Sequence, residues 1–138
     1  MGCAFSNINT ATPQAEDLYC NTHAASSWGA SDALEGLPSE EALLGELCRK
    51  YDEMPKWQAA YLKSYRTLKH NYFEQGKKGH LPNGFKRCVL KTEDGIYVGY
   101  ARSEMDAMSQ ARRRCYFSEK NARPCERPVS SACSTRQE

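Results

Sequence analysis

The chain has 138 residues, of which 40% are hydrophobic and 26% charged, so it is long enough for one domain with a small core. No apolar run approaches the roughly 18 residues of a membrane-spanning helix, and no basic-then-apolar signal peptide is present. The formal net charge of +2 hides an asymmetry, because residues 1–48 contain no Lys or Arg against seven acidic residues. The Arg-free start excludes a typical mitochondrial presequence, whereas the basic remainder can attract phosphate groups.

The first six residues, Met-Gly-Cys-Ala-Phe-Ser, match the pattern for N-myristoylation of Gly2. A single myristoyl chain binds membranes only marginally, so stable anchoring needs a second signal. Because no cation lies nearby, Cys3 is the local candidate, as a palmitoylation site. This start resembles the N-termini of G-protein alpha subunits and Src-type kinases, which carry both lipids, and the resemblance implies peripheral attachment to a membrane. An alternative makes Cys3 the lipidated first residue of a processed bacterial lipoprotein.

The segment that follows is rich in small and polar residues and has no sustained hydrophobic period. We therefore predict a lipid-anchored flexible tether over residues 1–38, with room for one short helix near residues 13–20. Trp28 is unusual in a tether, and we expect it to dock on the domain that follows.

Two helices are predicted next. Ser39 can cap the first, whose apolar stripe is Leu43, Leu44, Leu47, Cys48 and Tyr51. The second is predicted from Pro55 to Gly76, with a stripe of Trp57, Tyr61, Tyr65, Leu68 and Tyr72 that we interpret as core. Four cations line a different face of that helix: Lys56, Lys63, Arg66 and Lys69.

Two alternating runs then flank Glu93-Asp94-Gly95, which predicts a β-hairpin with a type I′ turn and a positive φ at Gly95. The two-residue period of a strand places Ile96, Val98 and Tyr100 on one face, which we predict to be the core face.

A last helix is predicted to open at Ser103 and to pack on that face, since the Ser hydroxyl can cap the first turn. Its apolar positions are Ala107, Met108, Ala111 and Cys115, and its last turn is predicted to hold Arg112, Arg113 and Arg114. The predicted fold is therefore α+β over residues 39–134: two helices, a β-hairpin and a C-terminal helix, with a frayed tail at 135–138.

Seven cysteines are present, without a Cys-x-x-Cys pair or suitably spaced histidines, so we expect no metal site and no other cofactor. If Cys3 carries lipid, six remain. Six cysteines are compatible with three disulfides in an oxidising compartment, and equally with six reduced thiols in a cytosol.

Residues 85–133 resemble small modules of bacterial envelope proteins and lipoproteins. The shared pattern is a Cys-bearing strand, a Gly turn, a second strand and an Ala-rich helix ending in Cys, followed by two more Cys. The matching positions are Cys88, Gly95, Ala107, Ala111, Cys115, Cys125 and Cys133. The resemblance implies bridges between Cys115 and Cys125 and between Cys88 and Cys133, and a structural role without catalysis.

The segment Gly99-Tyr-Ala-Arg-Ser103 also resembles the last strand and helix of double-stranded RNA-binding domains. In that family lysines follow the Ser and bind phosphates, whereas here Glu104, Met105 and Asp106 follow it. We therefore do not expect nucleic acid as a partner.

No nucleophile elbow, P-loop, dinucleotide fingerprint or zinc-protease motif occurs, so a non-enzyme is expected. The leading hypothesis is a lipid-anchored interaction or scaffold module that recruits a protein partner to a membrane. The first alternative is a disulfide-stapled structural lipoprotein of a bacterial envelope. The second is a phosphate or nucleic-acid binder that uses Lys56, Lys63, Arg66, Lys69 and Arg112 to Arg114.

Overall fold

The computed structural model describes residues 18–73, 81–82, 84–118 and 123–135, and it has the predicted α+β fold. The helices are α1 (Thr22–Glu35), α2 (Glu41–Leu47), α3 (Met54–Leu68), α4 (Glu104–Ser118) and α5 (Arg123–Glu126), and a π-helical turn (Lys69–Phe73) continues α3. The strands are β1 (Lys86–Lys91), β2 (Ile96–Ala101) and β3 (Ser130–Ser134), which form one antiparallel sheet in the order β2-β1-β3.

Helix α1 corrects the prediction of a tether over residues 1–38, because the second half of that segment folds into this helix and is part of the core. The side chain of Asn21 caps α1 by accepting a hydrogen bond from the Ala24 N–H at 2.8 Å, and Gly36 ends it with a φ of 79°. Trp28 is fully buried, as expected for docking. A Cβ atom on Gly29 would clash with the carbonyl oxygen of Tyr61, so the absent side chain lets α1 cross α3 closely. The folded domain therefore extends well upstream of residue 39.

Helices α2 and α3 confirm most of the two predicted stripes, although Cys48 and Tyr51 follow the end of α2 and the side chain of Tyr72 lies outside the part of the chain that the structure describes. The Ser39 hydroxyl accepts a hydrogen bond from the Glu41 N–H at 3.2 Å, at the start of α2. The buried members of the stripes are Leu44, Leu47, Cys48, Trp57, Tyr61 and Tyr65. The predicted end of the second helix at Gly76 lies outside the described residues.

The predicted hairpin is present, with Lys91 paired to Ile96 across its end, but the predicted type I′ turn is wrong. Among the described glycines only Gly36 and Gly84 have a positive φ. The loop of residues 92–95 is instead organised by Thr92, whose hydroxyl accepts hydrogen bonds from the N–H groups of Asp94 and Gly95, both at 3.1 Å.

Helix α4 packs on the opposite face of β2 from the one that was predicted. On the predicted face Ile96 is 62% exposed, although Tyr100 is buried in a cluster with Ala30 and Leu34 of α1, whereas Gly99 and Ala101 are buried on the side of α4. A Cβ atom on Gly99 would clash with the backbone of Ala107 and Ala111. The glycine thus provides the contact surface, since it lets the helix backbone approach the strand closely.

Two features of the sheet were not predicted. Helix α1 covers the outer edge of β2, where the Ser31 hydroxyl accepts a hydrogen bond from the Tyr100 N–H at 3.1 Å. Strand β3 pairs with β1 on the other side, with Cys133 directly opposite Cys88.

Candidate functional site

Three disulfides join the elements of the described domain. Cys20–Cys48 links the start of α1 to the end of α2, Cys88–Cys133 links β1 to β3, and Cys115–Cys125 links α4 to α5. The structure therefore contains both bridges that the envelope-module resemblance implies, and a third one. Cys3 is the seventh cysteine of the chain, and the lipidation candidates Gly2 and Cys3 lie outside the described residues.

A buried charge cluster sits where α1, α4 and the loop before α2 meet. It consists of Asp32, Glu35, Glu40, Arg113 and Arg114. The side chains of Asp32 and Arg113 are completely buried, with Arg113 Nη2 3.3 Å from Asp32 Oδ1. Arg113 Nη1 also lies 3.2 Å from Glu40 Oε1, and its guanidinium carbon lies 4.5 Å from the centroid of the Trp28 ring. The cluster thus ties three separate segments together through one arginine.

The second arginine of the cluster, Arg114, lies nearer the surface and is 19% exposed. Arg114 Nη2 donates to Asp32 Oδ1 at 2.8 Å, and Arg114 Nε lies 3.0 Å from Glu35 Oε1. The Tyr61 hydroxyl donates to Asp32 Oδ2 at 2.6 Å and accepts from the Glu40 N–H at 2.6 Å. All the charges therefore have protein partners, which is what burial requires.

Three carboxylates against two guanidinium groups set the electrostatics of the cluster. Burial raises the pKa of Asp32 to about 6, although Arg113 opposes the shift. Burial also raises the pKa of Glu35, against the attraction of Arg114. The pKa of Glu40 is lowered in spite of its burial, because Arg113 and the Trp28 N–H stabilise its charged form. Asp32 and Glu35 therefore hold a proton more readily than they would in water, whereas Glu40 holds one less readily.

The predicted anion-binding set does not form one surface. Arg113 and Arg114 are committed to the buried charge cluster, and they do not lie in the last turn of α4, which extends to Ser118. Lys56, Lys63 and Arg66 are exposed on α3, Lys69 is exposed at the start of the π-helical turn, and Arg112 is half-buried. The prediction of a phosphate site that includes Arg113 and Arg114 is therefore wrong, because buried carboxylates occupy both guanidinium groups.

The exposed cations of α3 and of the π-helical turn lie on different surfaces. Arg66 and Lys69 line a concavity of about 550 Å³ beside Ser39 and Glu41. Lys63 lines another, of about 610 Å³, and Lys56 lines neither of the two.

The larger concavity, which we name the hydroxyl groove, lies between α1 and α3 and reaches the start of α4. Helix α1 contributes Thr22, His23, Ser26, Ser27 and Ala30, and α3 contributes Ala60, Lys63, Ser64, Thr67 and Leu68. Phe85, Ala101, Arg102 and Asp106 complete the lining. The side chains thus present five hydroxyls around a floor of small apolar groups.

Three of the charged or titratable side chains that line the groove, His23, Asp106 and Arg102, have partners within the lining. His23 Nε2 lies 2.6 Å from Asp106 Oδ2, and the guanidinium carbon of Arg102 lies 4.7 Å from the centroid of the Phe85 ring. The hydroxyls of Ser26 on α1 and Ser64 on α3 form a hydrogen bond at 2.7 Å, so the two helices are in contact at this point of the lining.

Sequence reasoning identified Lys63 but missed the rest of the groove. A signal was present, because Thr22, Ser26 and Ala30 recur at four-residue spacing and Ser64 follows Ala60 at the same step. Such spacing marks a polar helix face only when the segment is recognised as a helix, and the α1 segment was interpreted as a tether.

Within the described residues no cluster of three or more His, Cys, Asp or Glu side chains is arranged to hold a metal ion. None of the described helices is long and apolar enough to cross a membrane. No protein-family profile, no curated protein and no solved structure matches the chain.

Proposed function

We propose that the chain is a non-catalytic, disulfide-stapled module that works in an oxidising compartment and is held at a membrane surface by a lipid on Cys3. The observation that carries this proposal is the pairing of six of the seven cysteines in three bridges. Disulfides persist in envelopes and outside cells, and they are rare in the cytosol, where thiols are kept reduced.

The disulfides also favour one kind of anchor over the other. N-myristoylation of Gly2 would leave the domain in a reducing compartment, whereas lipidation of Cys3 as in bacterial lipoproteins would leave it in an oxidising one. Both kinds of anchor, the myristoyl group on Gly2 and the lipoprotein-type lipid on Cys3, would give the chain a binding or scaffolding role at a membrane. The alternative of a cytosolic scaffold with both lipids, which recruits a protein partner, is kept as an outcome of the test.

A role without catalysis agrees with the chemistry of the buried charge cluster. Asp32 and Arg113 form an ion pair, and neither side chain has any exposed surface with which to reach a substrate. Because Asp32 lies on α1 and Arg113 on α4, the pair is explained by a structural role, which is to hold the two helices together.

The decisive measurement is the mass of the protein isolated from its native host, after alkylation under denaturing conditions with and without reductant. We expect six cysteines to be alkylated only after reduction, and a lipid mass on Cys3. Reaction of these six thiols without reductant would contradict the oxidising compartment.

Two matched substitutions distinguish the anchors. Cys3→Ser should release the protein from membranes, whereas Gly2→Ala should leave it bound if the lipid is that of a bacterial lipoprotein. Release by Gly2→Ala would instead support N-myristoylation and the cytosolic scaffold. Full retention of both variants would exclude an N-terminal lipid anchor.

A further inference from the structure

We propose that the hydroxyl groove binds a saccharide that carries an acidic group, either a phosphate or a carboxylate. This site goes beyond the proposed anchoring function and does not depend on it. Three properties of the groove define the ligand: its hydroxyls, its cations and its shallow apolar floor.

The hydroxyls match the hydrogen-bonding needs of a sugar. Each Ser or Thr hydroxyl donates one hydrogen bond and accepts others, as each sugar hydroxyl does. The hydroxyls of Ser26 and Ser64 form a hydrogen bond with each other at 2.7 Å, whereas Thr22 and Thr67 line the groove as exposed side chains. Two packed helices that met only to form a core would be expected to place apolar groups there.

The charges of the groove select an acidic ligand. Lys63 and Arg102 are exposed cations from two different elements, α3 and the end of β2, that line one concavity. The Arg102 guanidinium is held over the Phe85 ring, which limits its freedom before a ligand arrives. Asp106 is the single carboxylate among the described lining residues, and the side chain of His23 lies 2.6 Å from it as a partner within the groove.

The apolar residues that line the groove are mostly small and leave space for a sugar ring. Ala30 and Ala101 are small and almost fully buried, and Leu68, which packs against the cluster that contains Ala30, is half-buried. The volume of about 610 Å³ lies in the range of roughly 300–1,000 Å³ that is typical of small-molecule sites. A monosaccharide or disaccharide is of suitable size.

The same geometry argues against a nucleic acid strand as the occupant. Strand binding relies on aromatic side chains on which bases stack. Phe85, the one aromatic residue among the described residues of the lining, is only 5% exposed and is covered by Arg102.

The test is isothermal titration of the oxidised full-length chain with glucose 6-phosphate, glucuronate, glucose and inorganic phosphate. We expect at least one acidic sugar to bind about tenfold more tightly than glucose and inorganic phosphate, the effect of one charge-assisted hydrogen bond added to the sugar contacts. Equal binding of inorganic phosphate and the acidic sugars would overturn the saccharide assignment. Absence of binding by both acidic sugars up to about 10 mM, a concentration above any useful affinity, would overturn the site.

Substitutions in the groove should change affinity in opposite directions. Lys63→Gln and Arg102→Gln should each weaken binding of the acidic sugar by about tenfold, since each removes a charged donor. Asp106→Asn should strengthen it, because the groove then loses its carboxylate.

Lys56→Gln is the matched control, since Lys56 is an exposed cation of α3 that does not line the groove. It should leave the affinity within about twofold, as expected for a distant surface charge that salt screens. Equal weakening by Lys56→Gln and Lys63→Gln would show attraction to the basic surface as a whole, and the groove would be the wrong site. Lys56, Lys63 and Arg102 are exposed and Asp106 is half-buried, so the melting temperature and bridged cysteines of every variant are checked before titration.

Discussion

The helical centre of the domain and its β3 end are stabilised in different ways. At the centre, Trp28, Asp32 and Arg113 have no exposed surface, and hydrogen bonds join helices that are far apart in sequence. At the other end, every residue of β3 is exposed except Cys133, which is half-buried. That strand is retained by its pairing with β1 and by the Cys88–Cys133 bridge.

The difference shows how a small domain divides its stability between packing and covalent links. The centre buries large side chains, so removing one partner leaves an unpaired charge in the interior. Strand β3 buries too little apolar surface to remain ordered on that basis, so the bridge limits the freedom of the unfolded chain instead. The following predictions test this division, beginning with the largest expected effect.

Arg113→Ala should destabilise the protein by about 3–5 kcal/mol, because it removes the completely buried guanidinium and leaves Arg114 as the one cation of the cluster for the carboxylates of Asp32 and Glu40. Arg112→Ala is the neighbouring control, and its half-buried side chain should cost no more than about 1 kcal/mol. Chemical denaturation of both variants measures the difference. Similar losses would mean that the cluster is not the centre of stability.

Removing the Cys88–Cys133 bridge with two Cys→Ser substitutions should cost about 4 kcal/mol by the loop-entropy relation, since it spans 45 residues. Removing Cys115–Cys125, which spans 10 residues, should cost about 3 kcal/mol. Hydrogen exchange should show faster exchange in β3 only for the first variant. Unchanged protection of β3 there would show that strand pairing alone retains it.

The charge cluster should make stability depend on pH between about 4 and 7. Because the pKa of Asp32 is raised from 3.8 to about 6, the folded chain holds a proton that the unfolded chain releases. This contribution is fully present below pH 3.8 and is lost as the pH rises through about 6. It amounts to on the order of 2–3 kcal/mol for about two pKa units.

The measurement compares the unfolding free energy of the wild type with that of Asp32→Asn across this range. The wild type should lose stability relative to the variant as the pH rises from 4.5 to 7, the window that the pKa of Asp32 defines. The raised pKa of Glu35 acts in the same direction, and the lowered pKa of Glu40 acts below this window. Parallel curves would show that Asp32 is ionised throughout.

Gly99→Ala should cost about 1–3 kcal/mol, because the new methyl group meets the backbone of α4, which cannot move without repacking. Gly95→Ala is the contrasting change in the same hairpin. Its Cβ would lie 2.9 Å from the Tyr97 hydroxyl, the far end of a side chain that can rotate, so we expect a change within about 0.5 kcal/mol. Thermal melting compares the stability of the two variants. A larger loss of stability for Gly95→Ala would support a turn that requires glycine at position 95.

Several elements could be predicted from the sequence because local patterns determine them. The aromatic stripe of α3 repeats at helical spacing, and Trp57, Tyr61 and Tyr65 are buried as that spacing predicts. The hairpin was located because its turn residues separate two alternating runs. Ser103 was recognised as a cap, and its hydroxyl accepts a hydrogen bond from the Asp106 N–H at 3.1 Å.

The tertiary structure decided what depends on partners distant in the chain. Helix α1 has small side chains and almost no hydrophobic period, so its burial follows from the close crossing at Gly29. The face of β2 that α4 covers depends on backbone approach at Gly99, which a pattern of apolar residues does not record.

The same limit applies to the charges. Arg113 and Asp32 are 81 residues apart, so the sequence shows an arginine run and an isolated acid, and only the fold shows one buried pair. The formation of helices and strands depends on residues that are close in the sequence, so short-range periodicity predicts which segments form them. Which surfaces meet, and therefore whether a cation binds a ligand or a buried carboxylate, is determined by contacts between segments that the sequence keeps apart.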